Sequence, residues 1–275
     1  MTSSIITAES PSEGVVDNHA ARGWVHVVGR IGIASRGVIY LLLGYLAFDI
    51  ARHGSSPTQT SSTGALQELE ARSGGKLLLV ALACGLACYA VWRLFEAVTS
   101  AGGAMRRASS LAVGLIYGAL FVRAVELVAG HSASGGASSN PEPWVAKILK
   151  WSGGSAAIEV AGAVLVVAGA GLAAWGFLHR YDKNLALERV SRPWQTVVRV
   201  LEGIGDLARG CLIALFGVYL VAAGVTSNPA QAKSVDQTLR DLVHHPFGAV
   251  AIGALALGLL SFGVFSFFDA RLRRL

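Results

Sequence analysis

Six runs of about 20 predominantly apolar residues, at 31–50, 77–98, 111–129, 156–178, 207–225 and 247–268, limit what this chain can fold into more than any motif. A bilayer core about 30 Å thick takes about 20 residues of helix per crossing, so each run reads as one crossing. None alternates with period two over short strands, which argues against a membrane barrel. With 15% charged residues against about 25% in soluble domains, the chain cannot clothe a water-soluble globule, and 53% hydrophobic residues exclude disorder. The sequence predicts an all-α integral membrane protein with six transmembrane helices.

Lys and Arg set the orientation. Twelve lie in segments on one side of the runs, among them Arg106, Arg107, Arg192, Arg199 and Arg271, and seven on the other. The richer side should be cytoplasmic, which places both termini there. The net charge of +6 is therefore read as a topology determinant, with no nucleic-acid partner. The polar segment 1–26 is expected to be an unstructured cytoplasmic tail. Of the three cysteines, Cys84 and Cys88 share a helix face and read as small buried residues rather than metal ligands; His244 and His245 lack a third ligand.

Internal repetition sets the architecture. Shifted by 173 residues, the first third of the chain meets the last without a gap: Arg36-Gly37 meets Arg209-Gly210, Gly44 meets Gly217, Leu66 meets Leu239, and Glu96 meets Asp269. A middle copy is more divergent. At a shift of 77, Gly37 to Tyr40 meets Gly114 to Tyr117; at 79, Leu69 meets Ile148 and Gly74-Gly75 meets Gly153-Gly154. Each copy is a helix, an outer loop with a short amphipathic stretch (65–69, 145–149, 238–242), and a second helix. Two crossings per copy make the copies parallel. Three helical hairpins in a pseudo-threefold arrangement are predicted, with two-helix repeats at 27–100, 104–180 and 200–275 and a basic cytoplasmic linker at 181–199.

The stretch Gly29-Arg30-Ile31-Gly32-Ile33-Ala34-Ser35-Arg36-Gly37, its return from Gly203 to Gly210, and the ending Phe268-Asp269-Ala270-Arg271 carry a family resemblance. The chain resembles bacterial membrane proteins of the domain-of-unknown-function family 1206, built from copies of a two-helix unit. The resemblance implies a multi-pass protein of the bacterial plasma membrane and no particular activity. The middle copy departs from the motif, with Val113 before Gly114.

Ionisable residues inside a span cost roughly 2.5–3.5 kcal/mol on insertion scales, so each needs a partner. Arg36 and Glu96 are separated by 60 residues, as are Arg209 and Asp269. Val113 and Trp175 stand at the corresponding middle positions, so both charges are missing together. Arg36–Glu96 and Arg209–Asp269 are therefore expected to pair as staples within each hairpin, or to line a cytoplasmic vestibule. Arg123 and Glu126, three apart on the third helix, are an internal ion pair or a ligand or anion site. Gly114 and Gly118 are expected to admit close helix packing.

Phosphate-binding Gly-Lys-Ser/Thr loops, Gly-x-Ser-x-Gly elbows and His-Glu-x-x-His are absent, so no enzyme activity, cofactor or metal is expected. Two function classes remain: a structural or partner-binding membrane component, and a small transporter or channel along the pseudo-threefold axis. Anionic lipid headgroups at the basic cytoplasmic linker and a protein of unknown identity are the expected partners.

Overall fold

The computed structural model describes residues 13–53, 65–67, 69, 75–99, 103–130, 141–178, 191–243 and 245–272. All regular structure among them is helical: α1 (Glu13–His53), α2 (Gly75–Thr99), α3 (Ala104–Val128), α4 (Glu142–Leu149), α5 (Gly154–Phe177), α6 (Arg192–Val225), a 3-10 turn (Pro229–Gln231), α7 (Val235–Val243) and α8 (Gly248–Leu272). Six of them, all but the short α4 and α7, are long and apolar enough to cross a bilayer. Two are longer than a crossing requires. The 41 residues of α1 begin at Glu13, inside the segment expected to be an unstructured tail. The 34 residues of α6 begin at Arg192, inside the expected linker, whose first part (181–190) lies outside the described residues. Pro193 fits the first turn of α6 because its missing N–H has no intrahelical acceptor there.

Glycine opens α2, α5 and α8, at Gly75, Gly154 and Gly248. A Cβ at Gly154 would strike the Ile148 carbonyl, and one at Gly248 the Leu242 carbonyl. The short helices α4 and α7 thus fold back onto the helices that follow them, too tightly for any larger residue. Each segment joining two long helices of a pair buries an aliphatic side chain: Leu66 beside Leu79 and Leu82, Val145 beside Ile158 and Ala223, and Leu239 beside Ile50 and Ile252.

α1 packs on α2 and α8, α2 on α3, α8 on α6, and α6 on α5. No extensive contact joins α3 to α5, the two ends of this series. Tyr117 of α3 nevertheless meets Tyr89, and Tyr89 is linked through Arg36 and Phe262 to Arg209 of α6, so the series curves into a horseshoe. Close approach is set by glycines, as expected where lipid supplies no hydrophobic drive between helices. A Cβ on Gly37 would lie 3.1 Å from the Phe267 ring of α8, and one on Gly44 2.7 Å from Leu260. Gly210 and Gly217 of α6 abut Ala173 and Val166 of α5 in the same way, and Gly114 of α3 abuts Leu94 of α2. Gly118 has open space around it and takes no part in such packing, contrary to expectation. The α1–α2 and α6–α8 contacts match each other: Gly32 underlies Tyr89 as Gly205 underlies Phe262.

Candidate functional site

A buried polar network occupies the half of the bundle that holds the helix ends expected on the cytoplasmic side. Arg36 enters from α1, where Gly37 draws α8 close. Its Nη2 donates to Asp269 Oδ2 at 3.0 Å and its Nη1 to the Tyr89 hydroxyl of α2 at 3.2 Å. Both members of the ion pair are less than a tenth exposed. The guanidinium carbon lies 4.9 Å from the centroid of Phe262, the ring that also carries Arg209 at 4.1 Å. Tyr40 meets Phe262 edge-on at 4.7 Å, and Tyr117 meets Tyr89 edge-on at 4.6 Å. Aromatic faces so placed lower the cost of a buried guanidinium.

The expected pairing within hairpins is corrected here. Arg36 holds Asp269, not Glu96. Glu96 accepts from Arg93 Nη1 at 2.8 Å on its own helix, and Arg209 donates to Asp206 at 3.2 Å on its own helix. Helix register explains the exchange. Ser35 abuts Gly85 across the α1–α2 contact, so Arg36 stands level with residues near 85. Glu96 is eleven residues further along α2, about 16 Å of helix rise from that level, and the Arg36 side chain reaches along α2 to Tyr89. Across α1–α8, Gly37 stands level with Phe267, which brings Asp269 alongside Arg36.

Arg123 is buried on α3 and donates to Glu126 at 2.6 Å, while Glu126 keeps 42% of its side chain exposed. Among the described residues neither is hydrogen-bonded to the Arg36 network; they lie toward the C-terminal end of α3. Cys84 is exposed and Cys88 half-buried, so these thiols face outward rather than into the core. Among the described residues, no group of three His, Cys, Asp or Glu side chains is placed to hold a metal ion. An apolar pocket of about 350 Å³ lies between α1 and α2, lined by Ile31, Ser35, Val38, Leu78 and Leu82, with Phe267 of α8.

Sequence reasoning about paired charges left out Tyr89, Phe262, Tyr40, Tyr117 and Asp206. One signal was available: Tyr89 and Phe262 are themselves 173 residues apart, and each faces the matching glycine, Gly32 or Gly205.

A multi-pass helical membrane protein with two matching helix pairs is the class this fold defines. The profile of the family described as Domain of Unknown Function (DUF1206) matches residues 31–100 and 204–273, the two copies whose contacts agree, and the chain belongs to that family. It is similar to the Uncharacterized protein YxxB of Bacillus subtilis (strain 168), with 27% identity over 236 residues, covering 83% of this chain and 84% of that protein. No solved structure matches the chain.

Proposed function

We propose that this protein is a non-catalytic, non-conducting scaffold of the bacterial plasma membrane, built from three two-helix units with both termini cytoplasmic, that presents a charged inner face to a partner. The filled axis carries this reading: on the inner half Arg36, Asp269, Tyr89, Phe262, Arg209 and Tyr117 pack against one another. On the outer half Leu66, Val145 and Leu239 are all buried, as three related caps over one bundle would be.

Interface register supports a middle unit of α3 with α5. Gly37 faces Phe267, Gly114 faces Leu94, and Gly210 faces Ala173. These are equivalent pairs if each second helix packs on the first helix of the next unit, and the last on the first. The same register offers three charge slots. At 36 and 269 the slot holds Arg and Asp, and it is closed by an ion pair. At 113 and 96 it holds Val and Glu; at 209 and 175 it holds Arg and Trp. The stranded Glu96 and Arg209 then turn to Arg93 and Asp206 on their own helices.

That register also accounts for the gap between α3 and α5. Gly32–Tyr89 and Gly205–Phe262 lock the outer two hairpins, whereas Ser109 and Ala168 stand at the middle positions and supply neither socket nor knob. The gap is the one observation favouring the competing reading, a small transporter or channel. Flux measurement decides between them. Liposomes containing the purified protein should release potassium, chloride and phosphate no faster than empty liposomes. Flux that an Arg123→Ala substitution abolishes would overturn the scaffold reading.

A further inference from the structure

The apolar pocket of about 350 Å³ is a groove open to the bilayer. Its floor is one face of α1, with Ile31, Ala34 and Val38 spaced three and four apart; its walls are Leu78 and Leu82 of α2 and Phe267 of α8. Ile31, Leu78 and Phe267 are each about half exposed on membrane-spanning helices, so the groove opens sideways onto lipid. The one hydroxyl in its lining, that of Ser35, donates to the Ile31 carbonyl at 3.0 Å, so an occupant meets hydrocarbon alone. Ile31 to Val38 is about 10 Å of helix rise, and that volume drawn out over such a length is narrower than a helix with its side chains, 10–12 Å across. A hydrocarbon chain has the matching width and chemistry.

Two arginines mark one end of the groove. Arg30 is four residues before Ala34 on α1, and Arg271 four residues after Phe267 on α8, so each stands one turn beyond a lining residue on the same helix face. Gly37 lies against Phe267 and Gly44 against Leu260, so α1 and α8 run antiparallel in contact, and both arginines fall at the same end, the one expected on the cytoplasmic side. Both are exposed, and among the described residues neither enters an ion pair or a hydrogen bond. Arg36, Arg93, Arg123 and Arg209, by contrast, each hold a carboxylate. Exposed side chains held by no partner are free to turn over the mouth of the groove, and the fork of a guanidinium matches phosphate oxygens.

We propose that this groove holds an acyl chain of an anionic phospholipid of the inner leaflet, with the lipid phosphate at Arg30 and Arg271. The apolar lining selects the tail, and the two unpaired positive charges select an anionic head. The site rests on the orientation proposed above only in the assignment of the leaflet, and it holds for a scaffold and for a transporter alike.

The test is native mass spectrometry of the full-length protein in detergent micelles containing equal amounts of phosphatidylglycerol and phosphatidylcholine. Each chain should retain one phosphatidylglycerol in preference to phosphatidylcholine by about thirtyfold, the effect of two arginines beside one anionic head. Arg30→Gln with Arg271→Gln should bring that preference below about threefold. Ala81→Trp, at an exposed position of the lining on α2, should lower the retention of both lipids by filling the groove. Should a variant not fold, phosphatidylglycerol with a photoreactive group in its acyl chain serves on the unaltered protein, and its crosslinks should fall within 31–38 and 78–82. A preference that survives R30Q/R271Q, phosphatidylglycerol retention unchanged in A81W, or crosslinks confined to other segments would overturn the proposal. So would a dimer that A81W disrupts, which would make a second copy the occupant. Flux through liposomes is measured separately, so failure of this site is distinguishable from failure of the scaffold reading.

Discussion

Asp269→Asn separates pairing between the ends of the chain from pairing within each hairpin. The substitution keeps size and shape but leaves the Arg36 guanidinium, less than a tenth exposed, without its counter-charge. Removing one partner of a buried pair costs about 3–5 kcal/mol. Arg36 would retain the Tyr89 hydroxyl at 3.2 Å and the Phe262 face at 4.9 Å, which places the loss near the lower figure. About 3 kcal/mol is a factor of roughly 150 in the folding equilibrium. Glu96→Gln is the contrast. Glu96 and Arg93 are three apart on one helix and both about a sixth exposed, so the cost should stay below about 1 kcal/mol. Equilibrium unfolding in mixed micelles of increasing sodium dodecyl sulfate content, followed by the fluorescence of the six tryptophans, reads both. A cycle with Arg36→Gln should show coupling of at least about 1.5 kcal/mol to Asp269 and less than half of that to Glu96, which Arg36 reaches only through Tyr89 and Arg93. A loss in E96Q as large as in D269N, or coupling of Arg36 to Glu96 as large as to Asp269, would refute the register argument.

Other substitutions test the packing and the caps. Gly32→Ala and Gly205→Ala place a methyl 2.6 Å and 2.7 Å from Tyr89 and Phe262, and each should cost about 1–3 kcal/mol in the same unfolding assay. Gly118→Ala and Gly171→Ala meet nothing within 4 Å and should be neutral or stabilising, as the removal of a helix glycine usually is. Ser109→Gly combined with Ala168→Phe would supply the missing socket and knob; spin labels on α3 and α5 should then report a shorter distance than in the unaltered chain. Lys233, outside the spans, has its pKa raised above the ordinary lysine value by its hydrogen bond to Asp241. A raised folded-state value means stabilisation present below the unfolded pKa of about 10.5 and lost as pH rises through the folded one. The protection factors of the α7 amides, taken relative to intrinsic base-catalysed exchange, should therefore fall at strongly alkaline pH, and Lys233→Met should remove that fall.

The fold was legible in proportion to how local its signals are. Six crossings follow from apolar length, and the caps from three short amphipathic stretches whose Leu66, Val145 and Leu239 are all buried. Gly154 and Gly248 mark where two of the caps turn into the next helix, and Gly75 opens the helix that follows the first. The partner of Arg36 was not legible from spacing. An equal separation of 60 residues fits pairing within a hairpin and pairing between neighbouring units equally well. Only the register set by Gly37 and Phe267 decides, and register depends on which glycines meet in space. Helicity before residue 26 was missed because the segment is polar and lacks the long apolar run by which the crossings were found. The polar network was half visible: its charges stood out within apolar spans, whereas Tyr89 and Phe262 read as ordinary core residues.

The contact of α1 with α8 joins the two ends of the chain and creates the filled axis on which the scaffold reading depends. Cysteines at Leu41 and Leu260, in a background with Cys84, Cys88 and Cys211 replaced, test it in native membranes. Leu41 lies against Gly263, and Leu260 against Gly44. Mild oxidation should link them within one chain, giving a faster-migrating monomer on denaturing gels, while a pair at Gly118 and Gly171 should stay unlinked. Efficient linkage of 118 to 171, with none between 41 and 260, would contradict the horseshoe and remove the basis for the arginine network.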